Sequence, residues 1–324
     1  MRRPRYAIYI SLLRIKRLFA LIVLFDHART VFDHKTLALH LESISLTTKT
    51  KVLSSLTRYQ MSTISILNQI IDDEEGAYRI RFGERVGYLT ISTDVFDEDT
   101  MCRPHLLLPK LPEFPKDGWT RIQIVRPSVD APLEIIATNN PLPEVETVWH
   151  PDRIDVFSLE QTKCHRSNVH EVLYRGIPAI SKIAAFDWQI PSLDRETWAY
   201  SILDQHQRLE LGEPKISPRV LGHLTECGRV IGMLLERLDG EFASADDLPE
   251  CSSTLGRLHE IGLVHGDVNR YNFIVDKRSR QVRMVDFEHA AALDEVTAKM
   301  ELQSLVAELA EDTGRGGPAR PLML

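Results

Sequence analysis

Between Gly262 and Ala290 the chain reads GLVHGDVNRYNFIVDKRSRQVRMVDFEHA, which sets Asp267, Asn272 and Asp286 at the ends of apolar runs. A bare hydrophobic strand has no use for them. Carboxylate and amide oxygens are the donors that hard divalent cations take, and a carboxylate in a cleft can also accept a proton. The stretch from Phe273 to Phe287 predicts a hairpin turning at Lys277 to Arg280, so its two ends bring Asn272 and Asp286 to one mouth. Taken singly, an Asp beside a Gly is an ordinary turn residue and an Asn before a strand an ordinary cap. Their joint spacing singles them out.

The surrounding chain must position these groups. With 324 residues, 43% hydrophobic and 26% charged, it has the length and composition of a soluble globular protein with more than one core. A formal charge of -7 argues against a nucleic-acid backbone as main partner, because such binding needs a basic face. Cys102, Cys164, Cys227 and Cys251 are scattered without a CxxC pair. Reduced thiols, with neither zinc nor disulfides, are expected.

Residues 1–35 form a basic, apolar segment whose longest apolar run, Leu18 to Phe25, falls short of the ~20 residues of a membrane span. An amphipathic helix on its own domain, a mitochondrial presequence and a mis-assigned start all remain open for it. From Thr36 to Ile71 the spacing of Leu53, Leu56, Ile64, Leu67 and Ile71 predicts a helix. Strands are expected in YRIRF, VGYLTIST, TRIQIVRP and LEIIAT, separated by the proline-bearing RPHLLLPKLPEFPKDG. Residues 36–144 thus form a small α+β domain. Its boundary falls in the proline cluster Asn139 to Glu144, where a fragment starting near Val145 would begin a second domain, 145–324. There, strands are expected in RIDVFSL, EVLYRG and PAISKIAAF, then a helix in SLDRETWAYSILDQH and a strand in GRVIGMLLERL. A helix from Asp246 to Glu260 capped by Asp246 or Asp247, and another in MELQSLVAELAED after Lys299, complete the series.

HGDVNRYN followed by VDFE resembles the signature of the protein-kinase-like superfamily, H-(R/G)-D-x-x-x-x-N and then D-F-G or a variant. The resemblance covers roughly Ile154 onwards. It implies a two-lobed fold, here α+β with a reduced C-terminal lobe, and phosphoryl transfer from ATP with Mg²⁺ or Mn²⁺. It implies that Asp286 holds the metal and Asn272 supplies it a neutral oxygen, while Asp267 accepts the proton of the acceptor hydroxyl. Lys182 in AISKIAAF would pair with the phosphates, and Glu196 would orient it, with Glu171, Asp194 and Glu210 as rivals. Glu236, Arg237 and Leu238 would offer main-chain atoms to the adenine edge. His265 would brace the catalytic loop.

The departures are as informative. No G-x-G-x-x-G precedes Lys182, Gly266 replaces the arginine of HRD, Glu288 replaces the glycine of DFG, and no APE follows. That pattern is closer to aminoglycoside phosphotransferases, choline kinases and compact atypical kinases, and to fungal proteins with a divergent kinase-like domain, than to regulated protein kinases. Two function classes follow: an active cytoplasmic phosphotransferase acting on a protein or small-molecule hydroxyl, or a pseudokinase that binds nucleotide or a partner without turnover.

Overall fold

Tyr78, Ile80, Leu89, Ile91, Ile122 and Ile124 alternate into one buried face of the first sheet in the computed structural model, which describes residues 64–317 apart from 129 and 211. The sheet runs in the order β1 (Ile64–Ile71), β2 (Glu75–Phe82), β3 (Arg85–Ser92), β4 (Arg121–Val125) and β5 (Glu134–Thr138). Only β3 and β4 pair in parallel. Their crossover carries two short helices, α1 (Glu98–Cys102) and α2 (Pro104–Leu107), so the proline-bearing stretch holds local structure and buries Leu107.

β1 corrects the helix expected up to Ile71. The register with β2 slips between Ile66 and Asn68, inserting one extra residue, and that bulge breaks the period of two that would have marked a strand. Ile64, Leu67 and Ile71 then fall by accident at helical spacing. Asp72 closes the hairpin by accepting from the backbone N–H groups of Glu74 and Glu75, each at 2.9 Å. The remainder of that expected helix, and the segment 1–35, lie outside the described residues.

The second sheet has the order β6-β10-β11-β9-β8-β7, built from β6 (Arg153–Asp155), β7 (Glu160–Arg166), β8 (Val169–Tyr174), β9 (Ile177–Ile183), β10 (Val220–Glu226) and β11 (Arg229–Glu236). Helix α3 (Ile190–Leu209) joins β9 to β10. β7 and β10 were not foreseen. β7 is an edge strand exposed along nearly its whole length, so it lacks an apolar alternation.

The rest is helix and short strand: β12 (Glu241–Phe242), α4 (Leu248–Glu260), β13 (Leu263–Val264), β14 (Phe273–Val275), β15 (Val282–Met284), β16 (Ala291–Ala292) and α5 (Glu295–Ala310). The β14–β15 hairpin pairs Phe273 with Met284 and Val275 with Val282, as its sequence predicts. Asp247 does not cap α4 through its side chain. Its carboxylate reaches back to the N–H of Ser244 at 2.8 Å, because a turn of 3₁₀ helix precedes α4. α5 starts earlier than expected, at an Asp294 cap that accepts from Thr297 N–H.

All described residues fall in one compact unit. Ala77 and Tyr88 of the first sheet pack with Ala185 and Phe186, which follow β9, and with Leu142. Beside them, Arg79 of β2 forms a buried ion pair with Glu226 at the end of β10, and Arg229 binds both Glu226 (3.0 Å) and the Tyr88 hydroxyl (2.6 Å). The connector is tied as well: Val145 N–H donates to Val230, and Val230 N–H to the Glu144 carboxylate. Among the described residues, no helix is long and apolar enough to cross a membrane.

Candidate active site

Lys182 lies near the end of β9, an apolar strand in the middle of the second sheet, and is 7% exposed. A buried ammonium needs carboxylates. Glu196 on α3 puts Oε2 2.7 Å from its Nζ, Asp286 puts Oδ1 at 2.5 Å, and Glu288 puts Oε2 at 3.7 Å. Of the glutamates and aspartates considered for pairing with Lys182, Glu196 is the one α3 presents. Asp194, two residues earlier, instead accepts from the N–H groups of Glu146 and Thr147, and Glu171 pairs with Arg237.

Several acids share one ammonium, and burial decides which suffers. Burial works against the charge of Lys182, but Glu196, Asp286 and Glu288 outweigh it and raise its pKa. Burial also opposes ionisation of Asp286, yet Lys182 and then Arg166 hold its carboxyl below the usual range. Glu196 is fully buried and its Oε1 has no hydrogen-bond partner among the described residues, so burial pushes it up to about 7 despite Lys182. A carboxyl that binds protons more readily folded than unfolded costs stability as pH rises. Relative to Glu196→Gln, the wild type is expected to lose stability as pH rises from 4.5 towards about 7. Denaturant unfolding of both proteins across that range checks this; parallel curves would refute it.

Asp267 is exposed, and two amides steer its carboxylate: Asn269 Nδ2 donates to Oδ2 at 3.1 Å and Asn272 Nδ2 at 3.2 Å. Asn272 also donates to the Asp267 carbonyl at 2.8 Å, and its own carbonyl accepts from Val285 N–H. The hairpin therefore locks the Asp267 loop to the residue preceding Asp286. His265 is fully buried, its Nε2–H donates to the Val285 carbonyl at 3.0 Å, and burial lowers its pKa. Phe287 packs edge-on against Tyr200 of α3, with ring centres 5.3 Å apart. Asp286 itself has φ +67, a left-handed conformation that Asp tolerates better than most residues.

Gly266 also has a local reason. At φ +79 a Cβ there would meet the His289 carbonyl oxygen at 2.1 Å, so no side chain fits this position. Its N–H donates to Glu301 Oε1 at 2.6 Å, while Glu301 Oε2 binds His259 at 2.7 Å. Glu301 was missed, although a glutamate on the same helical stripe as the buried Leu305 and Leu309 could have flagged it. Asn269 and Arg166 were also missed.

Glu236 ends β11 and is engaged at its side chain, accepting from Arg219 N–H at 3.1 Å and pairing with Arg283 at 3.1 Å. Leu238 follows in the segment that leads to β12. A cavity lined by Asn168, Trp188, Ser192 and Glu288 opens beside Lys182.

No family model matches the chain. It is similar to a probable bifunctional tRNA threonylcarbamoyladenosine biosynthesis protein of Methanoculleus marisnigri, 27% identical over 169 residues. The match covers 48% of this chain and 30% of that protein.

Proposed function

We propose that the chain is an ATP-dependent phosphotransferase on a two-lobed protein-kinase-like plan with a reduced C-terminal lobe, moving the γ-phosphate to a hydroxyl of a protein or small molecule. What carries this assignment is the meeting of Lys182 and its partner Glu196 with Asp286, next to the loop that holds Asp267 and Asn272. The match to a protein named as bifunctional, over 30% of its length, fits a unit carrying one of two functions. The tRNA in that protein's name is not taken over, since a charge of -7 does not favour RNA.

Among the described residues no three His, Cys, Asp or Glu side chains are grouped to hold a metal alone. One carboxylate and one amide oxygen, Asp286 and Asn272, would hold Mg²⁺ or Mn²⁺ brought with the nucleotide. Such an ion neutralises charge on the transferring phosphoryl group. The chain's own groups do the remainder. Asp267, oriented by Asn269 and Asn272, accepts the proton of the attacking hydroxyl. Lys182 draws on the phosphate oxygens and Glu196 keeps it there, while main-chain atoms from Glu236 to Leu238 meet the adenine edge. Residues 36–144 are proposed as an α+β domain of unassigned role, and the cytoplasm as the compartment.

The rival is a pseudokinase, favoured by the two-residue turn Ser167–Asn168 standing where a glycine-rich loop would be. Thermal unfolding with and without nucleotide separates the readings. At a hundredfold excess over Kd, Mg-ATP should add about 2.7 kcal/mol and raise Tm by roughly 5 to 10 °C. A shift accompanied by slow ATP hydrolysis supports the enzyme. A shift without any turnover supports the pseudokinase, and no metal-dependent shift overturns the enzyme and leaves the pseudokinase.

A further inference from the structure

A nucleotide triphosphate needs donors, and this site lacks the usual ones: the turn joining β7 and β8 has no glycine to let backbone N–H groups close on phosphates. Lys182 is one ammonium among three carboxylates, those of Glu196, Asp286 and Glu288. A second cation faces them. Arg166, the last residue of β7, directs its guanidinium to Asp286 Oδ2 at 3.3 Å and to the Gly316 carbonyl at 3.3 Å. A register shift between Cys164 and Arg166 marks a bulge at His165, a device that re-aims the side chain that follows.

The turn beyond Arg166 is held on both sides. Ile183 N–H, next to Lys182, donates to the Asn168 carbonyl at 3.0 Å. From the first sheet, Asn68 Nδ2 donates to the Ser167 carbonyl at 2.8 Å. Asn68 is itself aimed by the bulge in β1, which pairs it across the strands with Arg79, and its Oδ1 accepts from Arg79 Nη1 at 2.7 Å. Both ends of the amide are thus committed, one to the buried Arg79–Glu226 pair and the other to the turn.

We propose that Arg166 grips the terminal phosphates of the nucleotide in place of a glycine-rich loop, and that the first sheet positions it through Asn68. The inference rests on the phosphotransferase reading and assigns a role to a sheet that reading leaves idle. The Arg166 side chain is 40% exposed, so its ion pair with Asp286 is worth little and yields readily to a phosphate. A guanidinium presents two parallel N–H donors to phosphate oxygens, which Lys182 as a point charge does not.

Calorimetric titration of the full chain with ATP and with adenosine, both with Mg²⁺, tests this. Arg166→Ala should weaken ATP binding roughly 10- to 100-fold, the scale of lost charged hydrogen bonds, and leave adenosine within about twofold; Arg166→Lys should recover part. Asn68→Asp keeps the acceptor for Arg79 but loses the donor to Ser167. It should therefore fold like the wild type and still lose ATP affinity about threefold to tenfold, the scale of one neutral hydrogen bond, again sparing adenosine. A role confined to holding the first sheet would leave Asn68→Asp unaffected and overturn the positioning claim. If the wild type binds ATP and Arg166→Ala binds it equally well, the phosphate grip falls while the phosphotransferase survives. If the wild type binds neither ligand, both fall.

Discussion

Asp286→Ala is expected to remove metal-dependent nucleotide binding, whereas Asp267→Ala should leave binding nearly intact and lower turnover by about 10²-fold or more. The difference follows from what each carboxylate touches. Asp286 is 16% exposed, and Lys182 and Arg166 converge on it, which is why the proposal brings the phosphates and their cation there. Losing it removes a charged oxygen from an ion that accepts few substitutes. Asp267 is exposed, and among the described residues its carboxylate accepts only from Asn269 and Asn272 Nδ2, so on the proposed reading deleting it takes nothing from the nucleotide. Because Asp286 has φ +67, alanine there adds backbone strain to the loss of charge. Asp286→Asn separates the two, since asparagine accepts the left-handed conformation but carries no charge, and it should behave like alanine in binding. ATP hydrolysis, with water as acceptor, reads turnover, and calorimetry reads affinity. Equal loss of binding in the Asp267 and Asp286 variants would show that HGDVNRYN is a structural loop.

The chain's local geometry was legible where one short stretch contained both partners. The β14–β15 hairpin could be read because FIV and VRM flank a turn, and its register places Asn272 beside the backbone of Val285. β1 could not, because its bulge at Leu67 scrambles the alternation that announces a strand. β7 is solvated along its edge, so no apolar signal exists to find. Gly266 looked like a missing arginine and is better explained by the His289 carbonyl, a contact between residues far apart in the loop sequence.

The site divides in the same way. Asp267, Asn272 and Asp286 lie within one stretch, and a motif with fixed spacing exposes them. Glu301, Arg166 and Asn68 act across the fold: Asn68 reaches Ser167 across 99 residues and Arg166 reaches Asp286 across 120. No period in a single sequence encodes such a pairing. An isolated acid on a buried stripe, as at Glu301, is the one kind of long-range partner that sequence alone can flag, because an unpaired buried carboxylate is too costly to leave without one.

The same cost makes Arg79 a sensitive position away from the candidate active site. Its side chain is 4% exposed and that of Glu226 1%, and the pair ties the first sheet to the second. Arg79→Met is expected to cost about 3 to 5 kcal/mol, because it leaves a buried carboxylate with Arg229 as its remaining partner and strips Asn68 Oδ1 of its donor. Burial of charge, rather than loss of attraction, dominates that figure. The double variant Arg79→Met/Glu226→Met should therefore recover part of the loss, since two packed apolar side chains need no compensation, while Arg229 gives up its carboxylate and keeps only the Tyr88 hydroxyl and the Pro143 carbonyl. Urea unfolding followed by tryptophan fluorescence has a reporter on each side of the contact, Trp119 in the first sheet's core and Trp149 against the second. A fragment beginning at Val145 would strip Glu226 of Arg79, Arg229 of the Tyr88 hydroxyl and the Pro143 carbonyl, and Ala185 and Phe186 of Ala77 and Tyr88, and should be destabilised in the same sense. If Arg79→Met unfolds at the wild-type urea concentration, or if the double variant is no more stable than the single one, the pair does not hold the two sheets together.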